Sequence, residues 1–307
     1  MTLTLYPVPA HGCEDVAVAG HGLDAGCVFT GTEDGSIWRV RPDGLRTDRV
    51  AHTAGRPLGI EVDADGTLVV CDATRGLLRV DPATGAVEVL VDQVGAHPML
   101  VCNNAAIASD GTIWFSDSST RYRLDRWKDD FLQVTSTGRL LRRGPDGEVE
   151  VVTGDLAFAN GVALAADESF VVVAESSRRT LVRWWIAGDR AGTRDLLVAE
   201  LPGYPDNIAR GSDGLIWVAL GSPRDPLVEL LMRAPAPVQK LAAKLPPALQ
   251  PGPRKGLWAQ AYDETGRLVH DVRIDTDAFH MTTGVREHDG TLWAGSLEEA
   301  GIASVAL

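Results

Sequence analysis

Asp110-Gly111-Thr112-Ile113-Trp114 is one copy of a five-residue phrase that recurs along the chain. It returns as Asp34-Gly35-Ser36-Ile37-Trp38, Asp65-Gly66-Thr67-Leu68-Val69, Asp213-Gly214-Leu215-Ile216-Trp217 and Asp289-Gly290-Thr291-Leu292-Trp293. Asp167-Glu168-Ser169-Phe170-Val171 is a degenerate copy. Asp-Gly between β-rich runs marks a hairpin, because Gly takes positive φ without steric cost. Successive copies start 31 (34 to 65), 45, 57, 46 and 76 residues apart. Six copies at an average of about 50 residues match one four-stranded blade each. A β-sandwich would be as strand-rich but would not repeat one turn six times. The expectation is an all-β, six-bladed β-propeller forming a single domain over residues 1–307, with seven blades as the competitor.

Between these hairpins lie the outer strands. Gly76 to Asp81, before the turn Pro82-Ala83-Thr84-Gly85, is one, and Leu181 to Ile186 is another. A ring must close, and the strand around Thr2 to Pro7 is expected to complete the blade begun by Leu292–Gly295 and Ile302–Leu307. The last interval is long because of an insertion over 223–255. There Leu227–Met232 and Val238–Leu245 have helical periodicity bounded by Pro, which reads as a lid, a pocket wall or a plain surface excursion. A smaller excursion, Thr120 to Gln133, also stands beside the expected pocket.

Composition narrows the classes. The 307 residues are 45% hydrophobic and 23% charged, as in an ordinary globular protein. A net charge of −13 argues against nucleic acid or an anionic membrane surface as partner. No apolar run reaches membrane-spanning length and no leader is visible at Met1–Ala10, so the cytoplasm is the default compartment. The Arg-rich, Lys-poor basic set suggests a bacterial source. Cys13, Cys27, Cys71 and Cys102 fit no zinc spacing and read as buried thiols.

The inner strands of a propeller begin at the central channel, so residues just ahead of them meet there. Four such places carry oxygen donors: Glu14-Asp15, Asn103-Asn104, Asn160-Gly161 and Asp206-Asn207. Taken singly, Asn160-Gly161 or Asp206-Asn207 could be only a turn. Recurring once per blade, they point to one hard cation. Glu14 and Asp206 with the amides of Asn103, Asn160 and Asn207 suit Ca²⁺, which takes six to eight oxygens in loose geometry. No Cys or His shares these places, which disfavours zinc.

Phe158 to Leu164, Val173-Ala174-Glu175, Arg183-Trp184-Trp185 and Pro205-Asp206-Asn207-Ile208 form a set with Trp114 to Ser119 and Glu287 to Leu297. The set resembles the strictosidine-synthase-like branch of six-bladed propellers, which sits with the paraoxonases and the senescence-marker-protein/gluconolactonase enzymes. The resemblance implies calcium ligation by Glu14, Asn103, Asn160, Asp206 and Asn207. A second, structural ion, as in paraoxonases, would fall on Asp15 and Asn104, the latter an Asp in that group. The paraoxonase pocket histidine falls at Leu58, and the catalytic glutamate of strictosidine synthase falls near Thr283. Neither role is carried over.

The expected function is Ca²⁺-dependent hydrolysis of a lactone or ester, a small-molecule substrate. The ion would polarise the carbonyl, with Asp206, or Glu14 second, activating water. His52, His97 and His280 are open as acid–base groups. His97, Tyr122, Trp258, His280 and Met281 are candidate pocket residues. The alternatives are a biosynthetic cyclase, isomerase or condensing enzyme using the same ion, and a non-catalytic binding propeller.

Overall fold

The structure is a computed structural model that describes residues 1–43, 46–245 and 255–307. The chain opens with β1 (Leu3–Pro7). Blade one is β2 (Ala17–Val18), β3 (Val28–Gly31), β4 (Ser36–Arg41) and β5 (Arg46–His52). Blade two is β6 (Pro57–Val62), β7 (Leu68–Asp72), β8 (Gly76–Val80) and β9 (Val87–Val91), followed by a ribbon of β10 (Gln93–Val94) and β11 (His97–Pro98). Blade three is β12 (Cys102–Ile107), β13 (Ile113–Asp117), β14 (Gly138–Arg143) and β15 (Val149–Leu156). Blade four is β16 (Ala159–Leu164), β17 (Phe170–Glu175), β18 (Thr180–Trp185) and β19 (Arg194–Val198). Blade five is β20 (Gly203–Arg210), β21 (Ile216–Pro223), β22 (Leu257–Tyr262) and β23 (Leu268–Ile274). Blade six is β24 (Thr282–His288), β25 (Thr291–Ser296) and β26 (Gly301–Ala306), completed by β1, which pairs antiparallel with β26. The expected six blades and their closure are both present.

The repeated turns work by the chemistry that marked them. Asp65, Asp110, Asp167 and Asp213 each accept the N–H two residues on, which pins the turn. Gly66, Gly111 and Gly214 sit at φ between 80° and 85°. In the degenerate copy Glu168 takes that place with φ 55°, so the geometry survives without the glycine. One copy is out of phase. The other five join the innermost strand of a blade to the second, whereas Asp34-Gly35 joins β3 to β4, the second and third strands of blade one. The short 31-residue interval reflects that shift, since in blade one the β2–β3 turn is built by residues 19–27.

Core lies between blades. Ile208, Val218 and Trp258 of blade five pack on Phe170, Val172 and Leu181 of blade four, all buried. Near the axis there is room only for backbone. Five inner strands carry a β-bulge at equivalent residues: 58–59, 103–104, 160–161, 206–207 and 283–284. A Cβ on Gly161 would stand 2.1 Å from the Ile208 nitrogen, one on Gly59 2.6 Å from the Asn104 Cα, and one on Gly284 2.5 Å from the Asp15 Cα. These glycines let alternate blades close up on their neighbours.

The two excursions fold as short helices. The first holds α1 (Trp127–Gln133), and the second holds α2 (Pro226–Met232) and α3 (Ala236–Ala242). The three helices pack on one another. Residues 246–254 of the expected insertion lie outside the described residues. All four cysteines are free and buried.

The close approach at Gly161 sets a test. Gly161→Ala should lower unfolding free energy by about 3 kcal/mol or more, because backbone on both sides must move. Gly154→Ala, whose Cβ would meet nothing nearer than 4.0 Å, should cost little. Equal denaturant midpoints for the two variants would refute this role for Gly161.

Candidate metal centre

In five blades the bulge sets two consecutive residues of the inner strand apart, and in blade one Glu14-Asp15 just ahead of β2 correspond to them. The first members of the six pairs, in blade order, are Glu14, Leu58, Asn103, Asn160, Asp206 and Thr283. The second members alternate: Asp15, Gly59, Asn104, Gly161, Asn207, Gly284. The loop leading into the strand is held by a polar group at the end of the second strand. Asp72 accepts the Arg56 N–H at 3.0 Å, Asp117 that of Val101 at 2.9 Å, and Glu175 that of Ala157 at 2.7 Å. In blade six Ser296 donates to the His280 carbonyl at 2.7 Å instead.

The donor atoms pass a simple test of fit. Buried polar atoms are almost always hydrogen-bonded. Yet Glu14 Oε2, Asn103 Oδ1, Asn160 Oδ1 and Asn207 Oδ1 are all buried without a partner. Their amide nitrogens are occupied. Asn103 Nδ2 donates to Ser118 Oγ at 2.9 Å, Asn160 Nδ2 to Ser176 Oγ at 3.2 Å, and Asn207 Nδ2 to Glu14 Oε1 at 3.5 Å. The serine bonds of Asn103 and Asn160 leave their amide oxygens unpaired, and the Asn207 nitrogen turns to Glu14. Asp206, half-buried, adds a second carboxylate that meets the Asn160 amide.

Electrostatics point the same way. Burial pushes the Asp206 carboxyl up to about 7. Burial, then the nearby charge of Asp206, raises Glu14 well above the usual carboxylate range, against the pull of Arg56. Two like charges out of water are unfavourable unless a cation joins them. Among the described residues no three His, Cys, Asp or Glu side chains cluster, so the donor set is two carboxylates and three neutral amides. All-oxygen donors of modest total charge fit Ca²⁺.

One tier deeper, hydrogen bonds replace what the resemblance assigned to a second ion. Asp15 Oδ2 accepts from Asn104 Nδ2 at 3.0 Å and from the Ile60 N–H at 3.2 Å. Asn104 Oδ1 accepts the Val162 N–H at 2.8 Å. Asn207, at the same register, keeps its oxygen unpaired and faces the first tier instead. Thr283, buried, donates to the Glu14 carbonyl at 2.6 Å and so positions a ligand. Leu58 is buried against Ala73 and Val101.

The candidate pocket residues divide. Met281 stands two residues before Thr283, as Phe158 stands before Asn160, and both adopt left-handed backbone, φ 50° and 56°. Such strain in non-glycine residues, at the same place in two blades, is a feature that clusters at functional sites. Tyr122 belongs to the α1 excursion, its hydroxyl on Gln133 and Arg126 over its ring. His97 is exposed on the β10–β11 ribbon, because a short hairpin carries it away from the strand start. His280 is held by Glu298 and Glu299 on the β25–β26 loop. Trp258 lies on the third strand of blade five, in the core between blades, its nitrogen on Asp271. His52 is exposed.

Sequence reasoning missed Ser118 and Ser176. Their signal was available in Asp117-Ser118-Ser119 and Glu175-Ser176-Ser177, an acid followed by two serines at the same strand end in adjacent blades. It also missed the aromatic wall. Phe131 of α1 packs on Phe158 and Tyr204 with centroids 6.4 and 5.2 Å away, and Trp127 lies 6.3 Å from Phe158. Tyr204 reaches Glu229 of α2 at 3.1 Å, and Arg179 pairs with the same carboxylate. These contacts seat the helices beside the face that carries the donor ring.

Comparison with known proteins agrees with this architecture. The model of the SMP-30/Gluconolactonase/LRE-like region matches residues 24–225. The protein strictosidine synthase-like 10 of Arabidopsis thaliana is 33% identical, over 94% of this chain and 83% of that one. A gluconolactonase from Xanthomonas campestris superposes with a TM-score of 0.71 at 17% identity, over 99% of this chain and 89% of that one. Regucalcin from Agrobacterium tumefaciens, described as a calcium-binding protein, gives 0.67 at 13%, over 98% and 91%. At those identities the two structures speak for the fold alone. The family-model match and the identity to the plant relative go further: the chain is a six-bladed propeller that belongs to the SMP-30/gluconolactonase/LRE-like family.

Proposed function

We propose that this protein is a Ca²⁺-dependent hydrolase of a lactone or ester. One observation carries the reading: four side-chain oxygens, each in or just ahead of the inner strand of blade one, three, four or five, are buried without a partner. The family and the calcium-binding description of its structural relative regucalcin support the choice of ion. Glu14, Asn103, Asn160, Asp206 and Asn207 would hold it. Bound there, Ca²⁺ supplies a Lewis acid for a carbonyl oxygen. Asp206, half-buried where Glu14 is only 4% exposed, is the carboxylate that solvent reaches, and its Oδ accepts the proton of the attacking water. Ser118 and Ser176 keep the amide oxygens aimed inward, while Phe158 and Met281 form apolar walls at the mouth. A second reading, a cyclase, isomerase or condensing enzyme on the same ion, draws on the strictosidine synthase-like name of the plant relative. Turnover in ¹⁸O-labelled water separates them, since only hydrolysis inserts solvent oxygen.

Chelation should abolish hydrolysis of simple lactones and aryl esters, and Asn160→Ala should lower kcat/KM by about 10²–10³. A metal-free protein that turns over at full rate would end the proposal. Ser118→Ala should weaken calcium binding roughly 10- to 100-fold in calorimetry, because Asn103 loses the bond that orients it. An unchanged Kd would mean that Ser118 does not orient the ligand.

The raised carboxyls also set a pH dependence. Between the ordinary Asp value of 3.8 and about 7, the calcium-free native state holds a proton on Asp206 that the unfolded chain has lost. Native protein then binds more protons than unfolded, so this group's contribution to stability falls as pH rises through that window. Calcium relieves the repulsion. The gain in Tm on adding calcium should therefore grow as pH rises towards about 7 and level off above it. A gain that shrinks with rising pH would contradict the assignment.

A further inference from the structure

The α2–α3 hairpin presents an apolar face to solvent. Leu227 and Leu230 on α2 are 51% and 65% exposed, and Val238 and Leu241 on α3 are 46% and 69% exposed. On each helix the pair is spaced i, i+3, so both point to one side. The opposite side is used. Glu229 pairs with Arg179 and Arg224 and accepts from Tyr204, and Gln239 donates to the Met232 carbonyl. The outward leucines are therefore surplus to the packing that seats the hairpin.

The charge around this face is the reverse of the chain's. Arg233, Lys240 and Lys244 are exposed and form no ion pair with a described residue. The two acids of residues 224–245 are committed, Asp225 to the α2 N-terminus and Glu229 to its arginines. Of the four lysines in the sequence, Lys128, Lys240, Lys244 and Lys255, every one lies in or at the end of a helical excursion. A net charge of −13 argues against an anionic surface only for the molecule as a whole. Beyond a Debye length, about 8 Å at physiological ionic strength, charges are screened. A surface that meets the hairpin first responds to its lysines.

We propose that the α2–α3 hairpin docks this protein on anionic lipid bilayers. Exposed aliphatic side chains ringed by Lys and Arg are the pattern of a helix lying in a membrane interface. Among the described residues no helix is long and apolar enough to cross a membrane, so the contact is peripheral. A symmetric dimer through the same face is the competing occupant. It would set Arg233, Lys240 and Lys244 of one copy against the same residues of the other, which like-charge repulsion opposes. The docking itself does not depend on the hydrolase reading.

Flotation of the full chain with phosphatidylcholine vesicles, with and without phosphatidylglycerol, tests it. The protein should bind the anionic vesicles at least about tenfold more tightly than the neutral ones. Lys240→Glu with Lys244→Glu should remove that preference. Leu230→Ser with Leu241→Ser should lower binding to anionic vesicles roughly tenfold, with an unchanged thermal melt. Absence of binding, equal binding to both vesicle types, or variants that float like the parent would overturn the proposal. So would a dimer in light scattering that Leu230→Ser dissociates.

Discussion

Six sheets cannot meet on one axis unless the backbones nearest it almost touch. That crowding governs the rest of this molecule. The innermost strands solve it in two ways at once. A bulge interrupts five of the six inner strands, and a glycine in every second blade receives the backbone of the next. Gly59, Gly161 and Gly284 are the receivers; Asn104, Asn207 and Asp15 are the residues received. Packing at the axis is therefore paired, blade two with three, four with five, six with one. The same residues that satisfy sterics also stand where a ligand ring must be built.

The three received side chains share a register and have different fates. Asp15 and Asn104 join each other and the backbone of the neighbouring blades, which makes them part of the frame. Asn207 makes no such bond with its oxygen and contributes it to the upper ring. Local competition for donors separates a satisfied amide oxygen from an unpaired one. The upper ring then concentrates two carboxylates and three amide oxygens in a space with little water. Burial, more than any single neighbour, is what raises Glu14 and Asp206. A dication is the natural complement of such a ring, as a proton is its substitute.

Much of this could be read from the chain. The Asp-Gly phrase carries its own physics, so blade number followed from counting it, and the donors ahead of inner strands followed from blade geometry. The out-of-phase copy at Asp34 could not be recognised, because a hairpin turn looks the same whichever pair of strands it joins. The surroundings of the histidines were illegible for a related reason. His97 and His280 are close in sequence to ligand-bearing strands, but a ribbon carries one away and two glutamates hold the other. Trp258 was open to either reading, because a tryptophan in an apolar run has the same signature in a core as in a pocket. Side-chain orientation was the least legible feature. Nothing in Asn103 or Asn160 says which way the amide faces, and that depends on serines that arrive from the next strand.

The seam between β1 and β26 has a consequence for how the molecule comes into being. Glu14 sits near one end of the chain, and the group that braces its carbonyl, Thr283, lies 269 residues away. Contacts of such sequence separation carry a large loop-closure entropy and form late. During synthesis the first five blades can stack while the ring is still open. Glu14 lacks its brace until the last blade is made and the first strand joins it. Cation affinity should thus report on the completed circle, because a chain stalled short of blade six holds every donor but leaves Glu14 unbraced.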